Sequence, residues 1–114
     1  MDERLSHALE TSKLMFVINQ QKRIITEQYR ADLVYYSSGC QFSASQELIS
    51  FCNSMLQLEQ TQSVILDDNN IPLLVEDLAE FTNMLVQTYA NASNTYYKKY
   101  EDLKKQRSVN GILS

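Results

Sequence analysis

Few side chains in this 114-residue chain could do chemistry, and none stands in the pattern that chemistry needs. Asp67-Asp68-Asn69-Asn70 gathers oxygen ligands, as a calcium loop would. A calcium loop also needs a central glycine and a closing glutamate at fixed spacing, and both are missing. Four such residues between two apolar runs read better as the turn of a hairpin. His7 has no cysteine or carboxylate partner in a metal-binding pattern. Cys40 and Cys52 show no CxxC spacing, and they read as reduced thiols, one in a loop and one on a helix. With only two glycines, Gly39 and Gly111, there is no phosphate-cradling loop, and no serine occupies a GxSxG elbow. The expectation is a protein with no catalytic residues, no metal ligands and no cofactor.

The aromatic residues say more. Tyr35 and Tyr36 stand together, and Tyr89, Tyr96, Tyr97 and Tyr100 follow helical spacing beside Lys98 and Lys99. Tyrosines among lysines can stack on single-stranded nucleic acid. They can equally form a packing stripe, with the lysines complementing a helix dipole. Charge weighs against nucleic acid. No Lys or Arg lies between Ala31 and Tyr97, whereas eight acids do, and the net charge of −4 hides an anionic middle between two basic ends. Such a middle is a poor surface for phosphates.

These residues need elements to position them. From Leu78 the apolar positions fall at Phe81, Leu85, Tyr89, Ala92, Tyr96, Tyr100 and Leu103, one stripe along a long helix that opens near Glu76. Ahead of it, Ser63-Val64-Ile65-Leu66 and Ile71-Pro72-Leu73-Leu74-Val75 read as two short strands. Pro72 restricts its strand to an edge or a bulge. A first helix is expected from Glu3 to Tyr36, with a stripe through Leu14, Ile18, Ile25, Tyr29, Leu33 and Tyr36 that Leu5 and Leu9 continue toward the start, ended by Gly39 as a left-handed cap. At about 1.5 Å per residue it would run roughly 50 Å, more than a domain this small can cover. Met15-Phe16-Val17-Ile18 is apolar all round and asks to be covered on more than one side. A second, shorter helix is expected to start at Ser43, where Ser43 and Gln46 have capping-box spacing, and to fade by Gln60-Thr61-Gln62.

Totals set the outer limits. The apolar fraction of 44% is ordinary for a globular domain, and two glycines and one proline favour few, long elements. No apolar run approaches the ~20 residues of a membrane span, and Met1-Asp2-Glu3-Arg4 lacks the order of a secretory signal. Asn91-Ala92-Ser93 fits a glycosylation pattern, but on a helix of an unsecreted chain it reads as coincidence.

One order of features has a familiar look. Arg30 and Leu33 close a helix, and Gly39-Cys40-Gln41-Phe42-Ser43-Ala44-Ser45 leads into a second one. An apolar strand, Leu66-Asp67-Asp68-Asn69-Asn70 and a proline-marked strand follow. Val75-Glu76-Asp77-Leu78-Ala79-Glu80-Phe81 then opens the last helix. This resembles a small domain of tailed-phage proteins associated with tail-fibre assembly chaperones, and it is similar to small proteins of T4-like phages, cyanophages included. The aromatic residue of the family's first hairpin strand is replaced here by Val64 or Ile65. The resemblance implies a protein-binding role in virion or tail assembly, in the host cytoplasm or the virion, with no catalytic residues to carry over.

The sequence therefore predicts a mainly α fold: two long helices, a shorter one, and a two-stranded β-hairpin before the last helix. Its divisions would be an oligomerising helix over 1–36, a helix–hairpin–helix module over 37–107 and a tail over 108–114. The expected function is a phage tail or tail-fibre assembly chaperone or minor virion component that binds protein and forms a homo-oligomer. Membrane and nucleic acid are not expected partners. The expected interface is Phe16, Val17, Ile24, Tyr35, Tyr96, Tyr97 and Tyr100. Two alternatives stand beside it: an acidic regulatory binder that inhibits a host protein, and an oligomeric helical scaffold of cellular origin.

Overall fold

A computed structural model describes residues 2–109. The elements are α1 (Glu3–Asp32), β1 (Val34–Ser37), β2 (Cys40–Ser43), α2 (Gln46–Gln57), β3 (Ser63–Leu66), β4 (Pro72–Val75) and α3 (Leu78–Val109). The fold is mostly helical, with three helices and two separate two-stranded antiparallel sheets, β1–β2 and β3–β4. The hairpin expected before the last helix is present. A second one was not expected.

That extra hairpin takes up Val34, Tyr35 and Tyr36, which the periodicity assigned to the first helix. α1 ends instead at Asp32. A β-branched residue followed by two tyrosines favours a pleated strand over a helix end. Gly39 is left-handed as expected, but it serves a hairpin turn and not a helix cap. Ser38 and Gly39 both have positive φ, 51° and 79°, as the tight turn between β1 and β2 requires. Tyr35 pairs with Phe42 and Tyr36 with Gln41 across this hairpin. Cys40, expected in a loop, is on β2.

The capping residue of α2 is also displaced. Ser45, not Ser43, accepts the backbone N–H of Leu48 at 3.1 Å, so the helix begins at Gln46. The Ser43 hydroxyl instead donates to the Asp68 carboxylate at 2.8 Å, a contact no local pattern reveals. α2 ends at Gln57, short of the expected fade near Gln60. Its C-terminal turn closes through Gln60 N–H to Met55 and Glu59 N–H to Leu56, with Glu59 at φ 63°. α3 starts two residues later than its acids suggest, because the Asp77 carboxylate accepts the N–H of Glu80 and caps it. The helix continues through Val109, so the first two residues of the expected tail, Ser108 and Val109, are helical. The rest of that tail, 110–114, lies outside the described residues.

The chain forms two compact units, one of residues up to Tyr29 with those from Asn94 onward, the other of Arg30–Ser93. In the first, the two helix segments run antiparallel: Tyr29 and Thr26 meet Tyr96, and Lys22 meets Tyr100. Ile18 and Leu103 are its buried apolar residues among those described. The second holds a core of Phe42, Ala44, Cys52, Ile65, Val75, Leu78, Phe81 and Leu85, with Leu33 and Tyr35 packed against it. Phe81 is the hub, edge-on to Phe42 at 5.0 Å and to Tyr35 at 5.9 Å.

Asp67 ties the two hairpins of that second unit together. Its buried carboxylate accepts N–H groups from Ile71 and Asn69, both at 2.8 Å, and from Gln41 at 3.4 Å. Asp68 then donates its own N–H to the Gln41 carbonyl and accepts the N–H of Ser43. Bonding from Ile71, ahead of the opposing effect of burial, holds the Asp67 carboxyl below its ordinary range. A depressed folded-state value means the contribution is present above about pH 4 and is lost as pH falls below that. Asp67→Asn should therefore lower the melting temperature at pH 7 and flatten the loss of stability below pH 4. Thermal melts across pH 2.5–7 read both effects; a variant that melts like wild type throughout contradicts this role.

Candidate protein-binding surfaces

The seven residues picked from sequence divide sharply. Phe16, Val17, Ile24 and Tyr97 are exposed, Phe16 by 64% and Tyr97 by 68%. Tyr96 is part of the helix packing. Its ring stacks on Tyr29 at 4.6 Å and 18°, lies edge-on to Tyr100 at 6.2 Å, and its hydroxyl meets Thr26 at 3.2 Å. Tyr100 is half-buried with the Lys22 ammonium 5.9 Å over its ring. Tyr35 is half-buried against Phe81. Rings held this way are engaged inside the chain, so only Tyr97 of the tyrosines near the α3 lysines is open on its faces.

The exposed apolar residues of α1 lie together on the side away from Ile18. At 100° per residue, Leu5, Leu9 and Phe16 fall on one line and Val17 and Ile24 on the next. Leu9 and Leu5, expected to continue the stripe of Ile18, are instead 44% and 52% exposed, because helical spacing puts them nearly opposite Ile18. Lys13 and Arg23 stand among them, and Arg23 pairs with Glu27 only at 4.0 Å with both side chains in water. Ile24 also borders a groove of about 300 Å³ with Gln21, Ile25, Lys99, Asp102 and Leu103.

Sequence reading missed a second surface. In β3–β4 the inward residues are Ile65, Leu73 and Val75, while Val64, Leu66 and Leu74 point outward. These three and Ile71 are 48–59% exposed. Val64 faces Leu74 across the ladder and Leu66 faces Pro72. A hairpin with one wet face normally alternates apolar and polar residues, and neither strand here carries a charge. An unbroken apolar run reads as a strand buried on both sides, so the missing alternation was the available signal.

The strand edges are treated differently from this face. Pro72 sits where its strand would point an N–H outward, and Asp67 and Asp68 occupy the outer edge of β2. On another side of the same unit, an open cleft of about 410 Å³ is rimmed by Tyr35, Ser37, Leu74, Glu76, Asp77 and Glu80.

The two cysteines are both buried. Cys52 is fully buried, and burial pushes its thiol up against a smaller opposing effect from the Thr82 hydroxyl. Cys40 is buried and free. Among the described residues no three His, Cys, Asp or Glu side chains gather as metal ligands. No helix among them is long and apolar enough to cross a membrane. No protein-family model matches the chain, and neither a curated protein nor a solved structure matches it.

Proposed function

We propose that this chain is a non-enzymatic assembly protein that binds another protein through exposed apolar surface, as a phage tail or tail-fibre chaperone or minor virion component. The observation that carries it is the row of Phe16, Val17 and Ile24, left in water on α1 while Ile18 one residue away is fully buried. Leaving about half of each side chain exposed forgoes stabilisation of about 1 kcal/mol each, which a partner recovers by covering them. The phage setting rests on the order of sequence features alone. The mechanism is masking of apolar surface on an unassembled component, without cofactor or reaction.

A second reading is favoured by the acids. Arg30–Ser93 carries eight of them against the single base Arg30, and Glu76, Asp77 and Glu80 rim its cleft. Such a surface suits a basic groove on a regulated host protein. Affinity capture of the tagged chain from infected cells, eluted in rising salt, separates the two. Tail or fibre components that stay bound at 0.5 M salt support assembly, because apolar contact is little screened. Host proteins released below about 0.2 M salt overturn it in favour of the acidic binder.

A further inference from the structure

We infer that the cleft between the first hairpin and the start of α3 takes an arginine side chain presented by a bound protein. This rests on the acidic-binder reading and names what that partner must carry. The cleft lies wholly within the unit of Arg30–Ser93. Tyr35, Leu73, Leu74 and Phe81 form its apolar walls, Glu76, Asp77 and Glu80 its rim, and no lysine or arginine lines it. At about 410 Å³ it has the size of a small-ligand site, with room for one long side chain but not for a helix.

Two of the three acids are not spent on the fold. Asp77 has a structural task, since its carboxylate accepts the N–H of Glu80 as the helix cap. The Glu76 and Glu80 carboxylates are exposed and make no hydrogen bond or ion pair among the described residues. Glu80 stands three residues after the cap, where a glutamate often reaches back to the cap's own N–H, yet it leaves that N–H alone. Apolar walls under a free anionic rim suit a side chain with a long apolar stem and a cationic head. A guanidinium suits the site better than an ammonium. It is planar and weakly hydrated, packs on aromatic rings, and offers carboxylates a fork of donors. The surrounding field has one sign, eight acids against Arg30 alone, and draws a cation in. Leu74 ties the occupant to a protein. It lines the cleft and also belongs to the outward apolar face with Val64 and Leu66, so a chain seated on that face passes the cleft mouth.

Amide NMR of the whole chain, titrated with N-acetyl-arginine methylamide, tests this. Saturable shifts gathered at Tyr35 and over 73–81 are expected, with a dissociation constant of about 1–10 mM. N-acetyl-lysine methylamide at equal ionic strength should bind about threefold more weakly or worse. Free arginine should also bind more weakly, because its own carboxylate meets the acidic rim. Glu76→Gln with Glu80→Gln, which spares the Asp77 cap, should weaken binding by about tenfold or more. Glu47→Gln, the same change of charge on α2 away from the cleft, should leave it unaltered. Circular dichroism confirms folding, and Glu76→Gln alone replaces the double variant if that does not fold. Shifts that do not saturate or do not gather at the cleft overturn the inference. So do lysine matching arginine, rim variants that bind like wild type, or equal losses at Glu47 and the rim. Tighter binding of free arginine also overturns it, in favour of a small-molecule site. Host proteins captured at low salt by a chain whose cleft ignores arginine leave the acidic-binder reading standing, so the two fail separately.

Discussion

Phe42→Ala is expected to cost about 3–5 kcal/mol of folding stability, a large part of the ~5–15 kcal/mol available to a domain of this size. Phe42 is 1% exposed, on the strand that carries both the turn of the first hairpin and the link to Asp67. Its ring meets Phe81 edge-on, and Phe81 in turn holds Tyr35. Truncation leaves a cavity and removes one of the two ring pairs at the hub. Urea denaturation measures the loss. Val64→Ala is the contrast: at 59% exposed, Val64 should shift stability by no more than about 0.5 kcal/mol. A Phe42→Ala cost under about 1.5 kcal/mol contradicts the core as described.

Tyr96→Ala should carry the next largest effect, roughly 2–3 kcal/mol, concentrated in the helix pair. It removes the stack on Tyr29, the edge contact with Tyr100 and the hydroxyl contact with Thr26. Each aromatic pair contributes about 0.5–1.5 kcal/mol beyond its buried area. Amide exchange should show α3 beyond Asn94 and α1 near Thr26 losing protection, while the core around Phe81 keeps most of its own. Tyr97→Ala, one residue on but 68% exposed, should be close to neutral. Equal effects at the two positions would mean that the ring packing does not hold these helices.

How much of this was legible in the sequence depends on how local each determinant is. The β3–β4 hairpin could be read because apolar runs flank Asp67 to Asn70, and the turn is closed by Asp67 reaching Asn69 and Ile71 within it. The stripe of α3 could be read because its buried members, Leu78, Phe81, Leu85, Ala92 and Leu103, recur at helical steps. The end of α1 could not. Leu33 and Tyr36 continue its spacing by steps of four and three, so periodicity cannot distinguish them from helix, and the decision falls to the turn at Ser38 and Gly39. The start of α2 failed for another reason: Ser43 and Gln46 have the right spacing, but the Ser43 hydroxyl is taken by Asp68, twenty-five residues away.

The surfaces follow the same division. Phe16, Val17 and Ile24 were legible as apolar residues that one helical stripe could not use. Tyr35 and Tyr96 were not separable by type from Tyr97, because burial depends on the facing partners Phe81 and Tyr29. Val64, Leu66 and Leu74 were hidden inside runs that look fully buried. What exposes them is the arrangement of two-stranded sheets, each packed on one side only.

The central claim is that binding runs through the exposed apolar row of α1. It is tested most directly by capturing partners with wild type and with the double variant Phe16→Asp, Ile24→Asp, side by side from the same infected lysate. Both positions are more than half exposed, so the variant should keep wild-type circular dichroism and lose no more than about 1 kcal/mol of stability. Two carboxylates placed in an apolar contact should weaken binding by about 2–4 kcal/mol, or 30-fold and more. The account predicts that tail or fibre components bound by wild type are depleted at least tenfold in the variant. The same components recovered in equal amount by a folded variant would contradict it.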